Sequence, residues 1–272
     1  MIQKNVFLSF MVLTFFVVSC SNNEEQTEND NQPPISSKEK LISKITNHYY
    51  QDLHSSYKPD TLVYQNGRLV KAWFYGVSGT MYEFEYGSND KIEVVYSKYN
   101  TPYNEIGNSI ATENYKNRTC YYDASNKLIR QVFEDGREIT IDYDSEGRAT
   151  KIQGDISLID NGLVTFSDFD TNGNPQKNSY NYAVSYDDKS NPVYVLFKKF
   201  GFFNIEMGNS LDDKRAFYIS PNNVTQSIRT SNNGENIFSS IYTYDSHGYP
   251  ISSNYLIAVF PEPRTEKFEY IK

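Results

Sequence analysis

The residues of this 272-residue chain that come nearest to a chemical constellation are Asp168-Phe169-Asp170-Thr171-Asn172-Gly173. Their order is that of the first half of a calcium loop, in which alternate oxygen-bearing side chains and a glycine wrap the cation. Such a loop needs a bidentate carboxylate six positions past the glycine, and Ser179 stands there, so the span is read as a reverse turn in preference to a calcium site. Acidic pairs occur at Glu134-Asp135, Asp187-Asp188 and Asp212-Asp213. Adjacent residues on a strand point to opposite faces, whereas a hydrolytic acid–base pair must face itself across about 5–9 Å. The histidines, His48, His54 and His247, have no zinc-ligand spacing, and neither a glycine-rich phosphate loop nor a G-x-S-x-G elbow is present. Cys120 lies in the strand-like run Arg118-Thr119-Cys120-Tyr121-Tyr122 and reads as a small buried residue. The expectation is a non-enzymatic chain with no catalytic residue, no metal and no cofactor. Trp73 and Tyr75, in Trp73-Phe74-Tyr75-Gly76, are the densest candidate platform for a glycan or peptide ligand. Aromatic rings present a large contact area at low entropic cost. The alternative is that these rings pack the inner face of a sheet.

Composition narrows the classes. Lys and Arg number 26 against 34 Asp and Glu, a formal charge of −8. With no cluster of cations to displace counterions from phosphates, nucleic acid is not among the expected partners. Aromatic residues reach 15%, with 24 Tyr and 17 Phe, which is too apolar for wholesale disorder. Two cysteines, at positions 20 and 120, cannot make a disulfide framework.

The elements that carry these residues are strands. From about residue 40 the dominant period is two: Tyr82-Glu83-Phe84-Glu85-Tyr86, Glu138-Ile139-Thr140-Ile141-Asp142-Tyr143 and Lys267-Phe268-Glu269-Tyr270 all alternate. Asn66-Gly67 and Asp135-Gly136 are short hairpin signals. A longer signature recurs: an aromatic residue, Asp, two residues, then Gly or Asn. Its copies begin at Tyr122, Tyr143, Phe169 and Tyr244, and a fifth at Tyr186 carries one extra residue. The Asp side chain is expected to accept backbone N–H groups across the turn, and the Gly or Asn to supply a left-handed residue. Tyr86-Gly87-Ser88-Asn89 lacks both the Asp and the closing Gly. No convincing amphipathic helix is found; residues 39–50 serve either as a short helix or as a first strand. Residues 195–223 break the alternation, and their phenylalanines, among them Phe197, Phe200, Phe202 and Phe203, are expected to cap the open end of the sheet and complete the core.

At the N-terminus, Lys4 precedes an apolar run too short to cross a bilayer, ending in Val17-Val18-Ser19-Cys20. This resembles the lipobox of bacterial lipoproteins, which implies lipid attachment at Cys20 and cleavage before it. The acidic stretch Ser21-Asn22-Asn23-Glu24-Glu25 is similar to the export signal of surface lipoproteins in Bacteroidota. The turn signature, clearest from Tyr143 to Ile152, resembles the YD repeats of Rhs-type proteins and of shorter Bacteroidota lipoproteins of unknown function. That resemblance implies a long antiparallel meander rolled into a porin-like curved sheet, and no activity.

The reading is a signal peptide over 1–19, a disordered acidic tether over 20–38 and an antiparallel β domain over 39–272. The fold class is all-β, a single large curved meander forming a barrel or half-barrel from irregular YD-like hairpins. Expected partners are the membrane, through the lipid anchor, and a glycan or peptide; the chain is expected to be a monomer on the outer membrane, facing the surface or the periplasm. A scaffold without a ligand is the alternative, and a glycan- or peptide-cleaving enzyme is a remoter one. A membrane-spanning barrel is disfavoured because both faces of many strands carry polar residues, as in Tyr115-Lys116-Asn117-Arg118-Thr119.

Overall fold

The computed structural model describes residues 39–53, 57–74, 79–98, 115–155, 162–203, 218–231, 234–258 and 260–271. Sixteen strands form one antiparallel sheet: β1 (Ile42–Asn47), β2 (Asp60–Gln65), β3 (Arg68–Phe74), β4 (Thr80–Tyr86), β5 (Ile92–Lys98), β6 (Tyr115–Tyr122), β7 (Leu128–Phe133), β8 (Glu138–Tyr143), β9 (Ala149–Gly154), β10 (Leu163–Phe169), β11 (Pro175–Asn178), β12 (Tyr182–Ser190), β13 (Asn222–Arg229), β14 (Glu235–Tyr244), β15 (Pro250–Ile257) and β16 (Phe260–Tyr270). Each strand pairs with its neighbour in sequence, and β16 pairs back on β1 from Ile42↔Tyr270 to Asn47↔Glu266, so the sheet is a closed barrel. The expected curved meander is present, and closure leaves none of these strands as a sheet edge.

Helices interrupt the meander. In the ambiguous span 39–50, β1 is followed directly by the short α1 (His48–Leu53). The expectation of no amphipathic helix is corrected by α2 (Pro192–Phe200), which buries Val195, Leu196, Phe197 and Phe200 and leaves Lys198 and Lys199 exposed. Its ends are written in the chain. The Asn191 side chain accepts from Val193 N, Pro192 opens the first turn, and Gly201 closes the helix at φ 72°. Phe202, Phe203, Tyr218 and Ile219 join α2 in a core with inward residues of strands β2 to β10, such as Leu69, Ile139 and Ile152. The phenylalanines after Tyr194 therefore complete the core, as expected; Ile205 and Met207 lie outside the described residues. A second, smaller core joins Tyr182, Val184, Val224, Phe238, Tyr255 and Ile257.

Because consecutive strands alternate in direction, the connections β2–β3, β4–β5, β6–β7, β8–β9, β10–β11, β12–β13 and β14–β15 all fall at one end, called here the turn end. The recurring signature lies there, and its geometry is the expected one. Asp123, Asp144, Asp170 and Asp245 each accept two backbone N–H groups through Oδ1, from residues two and four positions later. Asn126, Gly147, Gly173 and Gly248 close these loops at φ 61°, 82°, 86° and 77°. The Gly87 turn makes the same backbone bonds with the residue types exchanged: Gly87 N donates to Lys91 O, Asp90 N donates to Gly87 O, and Asp90 takes the left-handed conformation. The fifth copy departs from expectation. After Tyr186 the chain does not reverse but continues as β12 to Ser190, enters α2 and returns at Asn222. Asp187 accordingly accepts from Lys189 N and from the backbone and side chain of Asn223, and from the Tyr244 hydroxyl.

Tyrosines at the turn end, among them Tyr122, Tyr143 and Tyr186 of the signature, do more than fill space. At the turn end a loop joins each even-numbered strand to the next, and the gap on its other side is bridged by a tyrosine hydroxyl. Tyr64 donates to Ile42 O, Tyr86 to Leu69 O, Tyr122 to Ile92 O, Tyr143 to Leu128 O, Tyr186 to Pro175 O, Tyr242 to Val224 O and Tyr270 to Pro250 O, all at 2.6–3.1 Å. The exception is the β9–β10 gap, where Phe169 has no hydroxyl and lies under the Arg148 guanidinium, 4.5 Å from the ring centre. Register shifts occur at Tyr64, Tyr86, Tyr122, Tyr143, Tyr186 and Tyr244. Such bulges re-aim side chains. After the turns, residues three apart rather than two apart are therefore both buried: Leu69 and Ala72, Ile92 and Val95, Leu128 and Gln131, Ala149 and Ile152.

The outer wall is charged. Lys71 meets Glu83 at 3.2 Å, Lys151 meets Asp142 at 2.5 Å and Lys44 meets Glu269 at 2.6 Å, each directly across a strand pair. Arg130 holds Glu138 with two bonds.

Replacing Tyr143 by Phe should cost roughly 0.5–1.5 kcal/mol in urea unfolding, because the Leu128 carbonyl loses its donor. Tyr121→Phe, at a side chain 45% exposed, should leave the midpoint unchanged.

Candidate functional site

The chain insertion between β12 and β13 makes the site. Asn191 launches α2 across the turn end, and its side-chain amide donates to Ser220 O, tying the start of the helix to the returning chain. At the other end, Lys91 donates to the carbonyls of Lys198 and Lys199 at 2.7 and 2.8 Å. These are last-turn carbonyls with no partner inside the helix, where a cation also suits the helix dipole. Gly201 closes the helix against Tyr122: a β-carbon there would overlap the Tyr122 hydroxyl, and φ is 72°. The helix is thus fastened to the returning chain, to the Gly87 turn and to one of the bridging tyrosines.

Between α2 and the turns at Asp123, Asp144 and Asp170 lies a groove of about 640 Å³, within the roughly 300–1,000 Å³ typical of small-ligand sites. Tyr194 of α2 forms one wall and the Asn126, Gly147 and Asn172 turns form the other. Tyr194 is half-buried, and burial raises its phenol pKa. Lys198 holds its ammonium 6.0 Å from the Tyr194 ring centre, and Lys127 holds its own 5.3 Å from that of Tyr143. Burial lowers the Lys91 ammonium pKa, against the opposing pull of Asp90 and Glu39. For Asp144, burial raises the carboxyl pKa, but hydrogen bonds from the backbone and guanidinium of Arg148 outweigh it, so the net shift is downward. The arrangement offers a ring face, three ammonium groups, and side-chain amides and hydroxyls on the rim. Such groups bind and orient a ligand.

The residues singled out by sequence fall elsewhere. Trp73 is only 3% exposed, on the sheet face opposite Ala72 and Phe74, so it presents no ring to a ligand. Cys20, Tyr75 and His54 lie outside the described residues. Asp170 borders the groove, but its oxygens accept from Asn172 N, Asn174 N and Asn174 Nδ2, while Asp168 pairs with Lys177 at 2.5 Å. The half-loop for calcium is therefore a turn whose carboxylates already serve protein donors. Among the described residues no group of three or more His, Cys, Asp or Glu is placed to hold a metal. Cys120 is buried, and burial raises its thiol pKa. Tyr194, Lys127 and Lys198 were not singled out by sequence. The signal that could have found them is the Asn191-Pro192 start and Gly201 stop of α2, which places Tyr194 and Lys198 one turn apart on one face.

No protein-family model matches the chain, and no curated protein matches it. Among solved structures it is similar to a porin-like protein from Bacteroides uniformis, at 15% identity and TM-score 0.36 over 78% of each chain. It is also similar to a porin-like protein from Bacteroides vulgatus, at 11% identity and TM-score 0.36, over 86% of this chain and 99% of that one. A TcdB2-TccC3 structure is matched at 10% identity and TM-score 0.30, over 80% of this chain and 10% of that one. At such identities and TM-scores the likeness does not extend to function.

Gly201→Ala should destabilise the protein by about 2 kcal/mol or more, through left-handed strain together with displacement of Tyr122. Gly136→Ala, at φ 85° with open space around it, should cost only the strain of about 1–2 kcal/mol. Urea titration of both variants checks the difference.

Proposed function

We propose that this protein is a lipid-anchored binding module of the bacterial cell envelope, held at the outer membrane by Cys20 and reaching away from it on the 20–38 tether. The observation that carries the reading is the distribution of polarity in the barrel. Membrane-spanning barrels carry an apolar band outside and polar groups within. Here the ion pairs of Lys71, Arg130, Lys151 and Lys44 stand on the outer wall, and Leu69, Ile139, Ile152 and the α2 phenylalanines fill the inside. A lysine or arginine on a lipid-facing wall costs about 2–4 kcal/mol at the bilayer midplane, so the wall suits water. A filled interior suits a shell that presents its rim rather than a channel. The groove beside Tyr194 is the concave surface on that rim, and no catalytic role is assigned to it.

A ligand-free scaffold is the second reading. It is favoured by the burial of so many rings, Trp73, Tyr82 and Phe203 among them.

Intact cells expressing the full chain, probed with fluorescent glycans and peptides, test the proposal. Wild-type cells should capture at least one probe. Cells expressing equal amounts of Cys20→Ala should lose the capture as the protein leaves the membrane fraction. No capture by wild type supports the scaffold, and unchanged membrane retention of Cys20→Ala removes the anchor.

A further inference from the structure

We infer that the groove between α2 and the turns takes an acidic glycan, its carboxylate or sulfate groups held by Lys127 and Lys198 and a sugar ring laid on Tyr194. This rests on the binding role proposed above and names its ligand class.

The first support is the placement of charge. Other cations of the turns and wall are largely neutralised: Arg148, on the same groove, by Asp144 and Glu146, and away from it Lys177 by Asp168, Arg137 by Asp135 and Lys40 by Asp245. Lys127 and Lys198 face one groove from opposite sides, and neither has a carboxylate within ion-pair distance among the described residues. Lys91 adds a third positive charge there while its hydrogens serve the α2 carbonyls. The carboxylates on the same groove are already occupied. Glu146 is held by Arg148 at 2.8 Å, and Asp170 accepts from three N–H groups of its own turn. In a chain with a net charge of −8, this is a local excess of positive charge at a concave surface, which focuses the field on an anion.

The second support selects a glycan over a peptide. Extended peptides commonly bind by adding a strand to a free sheet edge, and the sixteen strands close on themselves. What the groove offers instead is one ring face, Tyr194, with the exposed Asn126 and Asn172 amides and the Ser125 and Thr171 hydroxyls around it. A pyranose presents C–H groups to a ring and hydroxyls to amides. Its carboxylate or sulfate accepts charge-assisted bonds from ammonium groups, and such bonds are about twice as strong as neutral ones.

Calorimetric titration of the full chain with trigalacturonate, its methyl ester, a sulfated disaccharide, its desulfated form, cellotriose and tetraglutamate tests the assignment. At least one acidic saccharide should bind, and its uncharged counterpart should bind about tenfold more weakly or less. Lys127→Gln and Lys198→Gln should each weaken the acidic saccharide by about tenfold, with unchanged thermal midpoints, and added salt should weaken it further. Lys198→Gln alone, at an exposed helix position, keeps the test valid if Lys127→Gln perturbs its turn. Equal binding of charged and uncharged saccharides, or no effect of either lysine, overturns the acidic assignment and leaves the binding role standing. Preference for tetraglutamate overturns the glycan. Binding of none of the six overturns both.

Discussion

The hydrogen bond from a half-buried tyrosine to the first carbonyls of the neighbouring strand is the constraint on which the turn end depends. Loops alone would leave every second pair of strands joined only by its ladder at that end. The hydroxyls of Tyr64, Tyr86, Tyr122, Tyr143, Tyr186, Tyr242 and Tyr270 close those gaps everywhere but between β9 and β10, so most of the rim alternates between chain connections and phenolic bridges. Each bond spares a strand-end carbonyl from going unpaired, which costs more than a typical bond contributes. At Tyr86, Tyr122 and Tyr143 a bulge beside the tyrosine turns both the ring and the first residue of the partner strand inward. After Tyr122 and Tyr143 the Asp of the next position then fixes the loop. One short run of residues therefore sets turn, bulge and bridge together.

Filling follows from closure. A circular barrel of about 16–18 strands leaves a water-filled lumen, and this barrel holds α2 and its flanking phenylalanines against the β2–β10 side. The helix enters through the gap in the series of turns, where the copy beginning at Tyr186 fails to reverse. Asp187 still binds backbone N–H groups there, but those of Asn223 on the returning strand. The same insertion that completes the core builds the groove, because the exposed side of α2 faces the turns. Core and rim are thus products of one departure from the repeat.

The strand content, the turn end and the role of Asp were legible in the sequence because they rest on local physics: period-two alternation, Asp as acceptor, and Gly or Asn at positive φ. The copies at Tyr143 and Tyr244 behave as their residues require. The helix was less legible. Asn191-Pro192 and Gly201 are ordinary helix signals, yet they enclose VYVLFKKF, whose β-branched and aromatic residues also suit a strand, and tertiary burial decides the matter. Tyr86-Gly87-Ser88-Asn89 conceals its turn because Asp90 carries the left-handed conformation normally given to Gly. The bridges were not legible, since a hydroxyl's acceptor lies 11 to 30 residues away and its position depends on the bulge. The site was missed for a related reason. Trp73 and Tyr75 are dense in aromatic surface, but burial is a property of the folded sheet, and Trp73 lies covered.

Phenol ionisation, followed by absorbance near 295 nm alongside circular dichroism, reads the bridges directly. Burial raises the pKa of Tyr64, Tyr86, Tyr122, Tyr143, Tyr242 and Tyr270 above the ordinary phenol value. Their contribution to stability is fully present below about pH 10, the unfolded value, and is lost as the pH climbs through the folded values. Two waves are expected: exposed tyrosines ionise first with the β-sheet spectrum intact, and the bridging phenols ionise only as that spectrum collapses. Ionisation of all 24 tyrosines in one wave near pH 10, with the sheet still folded, would contradict the bridged rim.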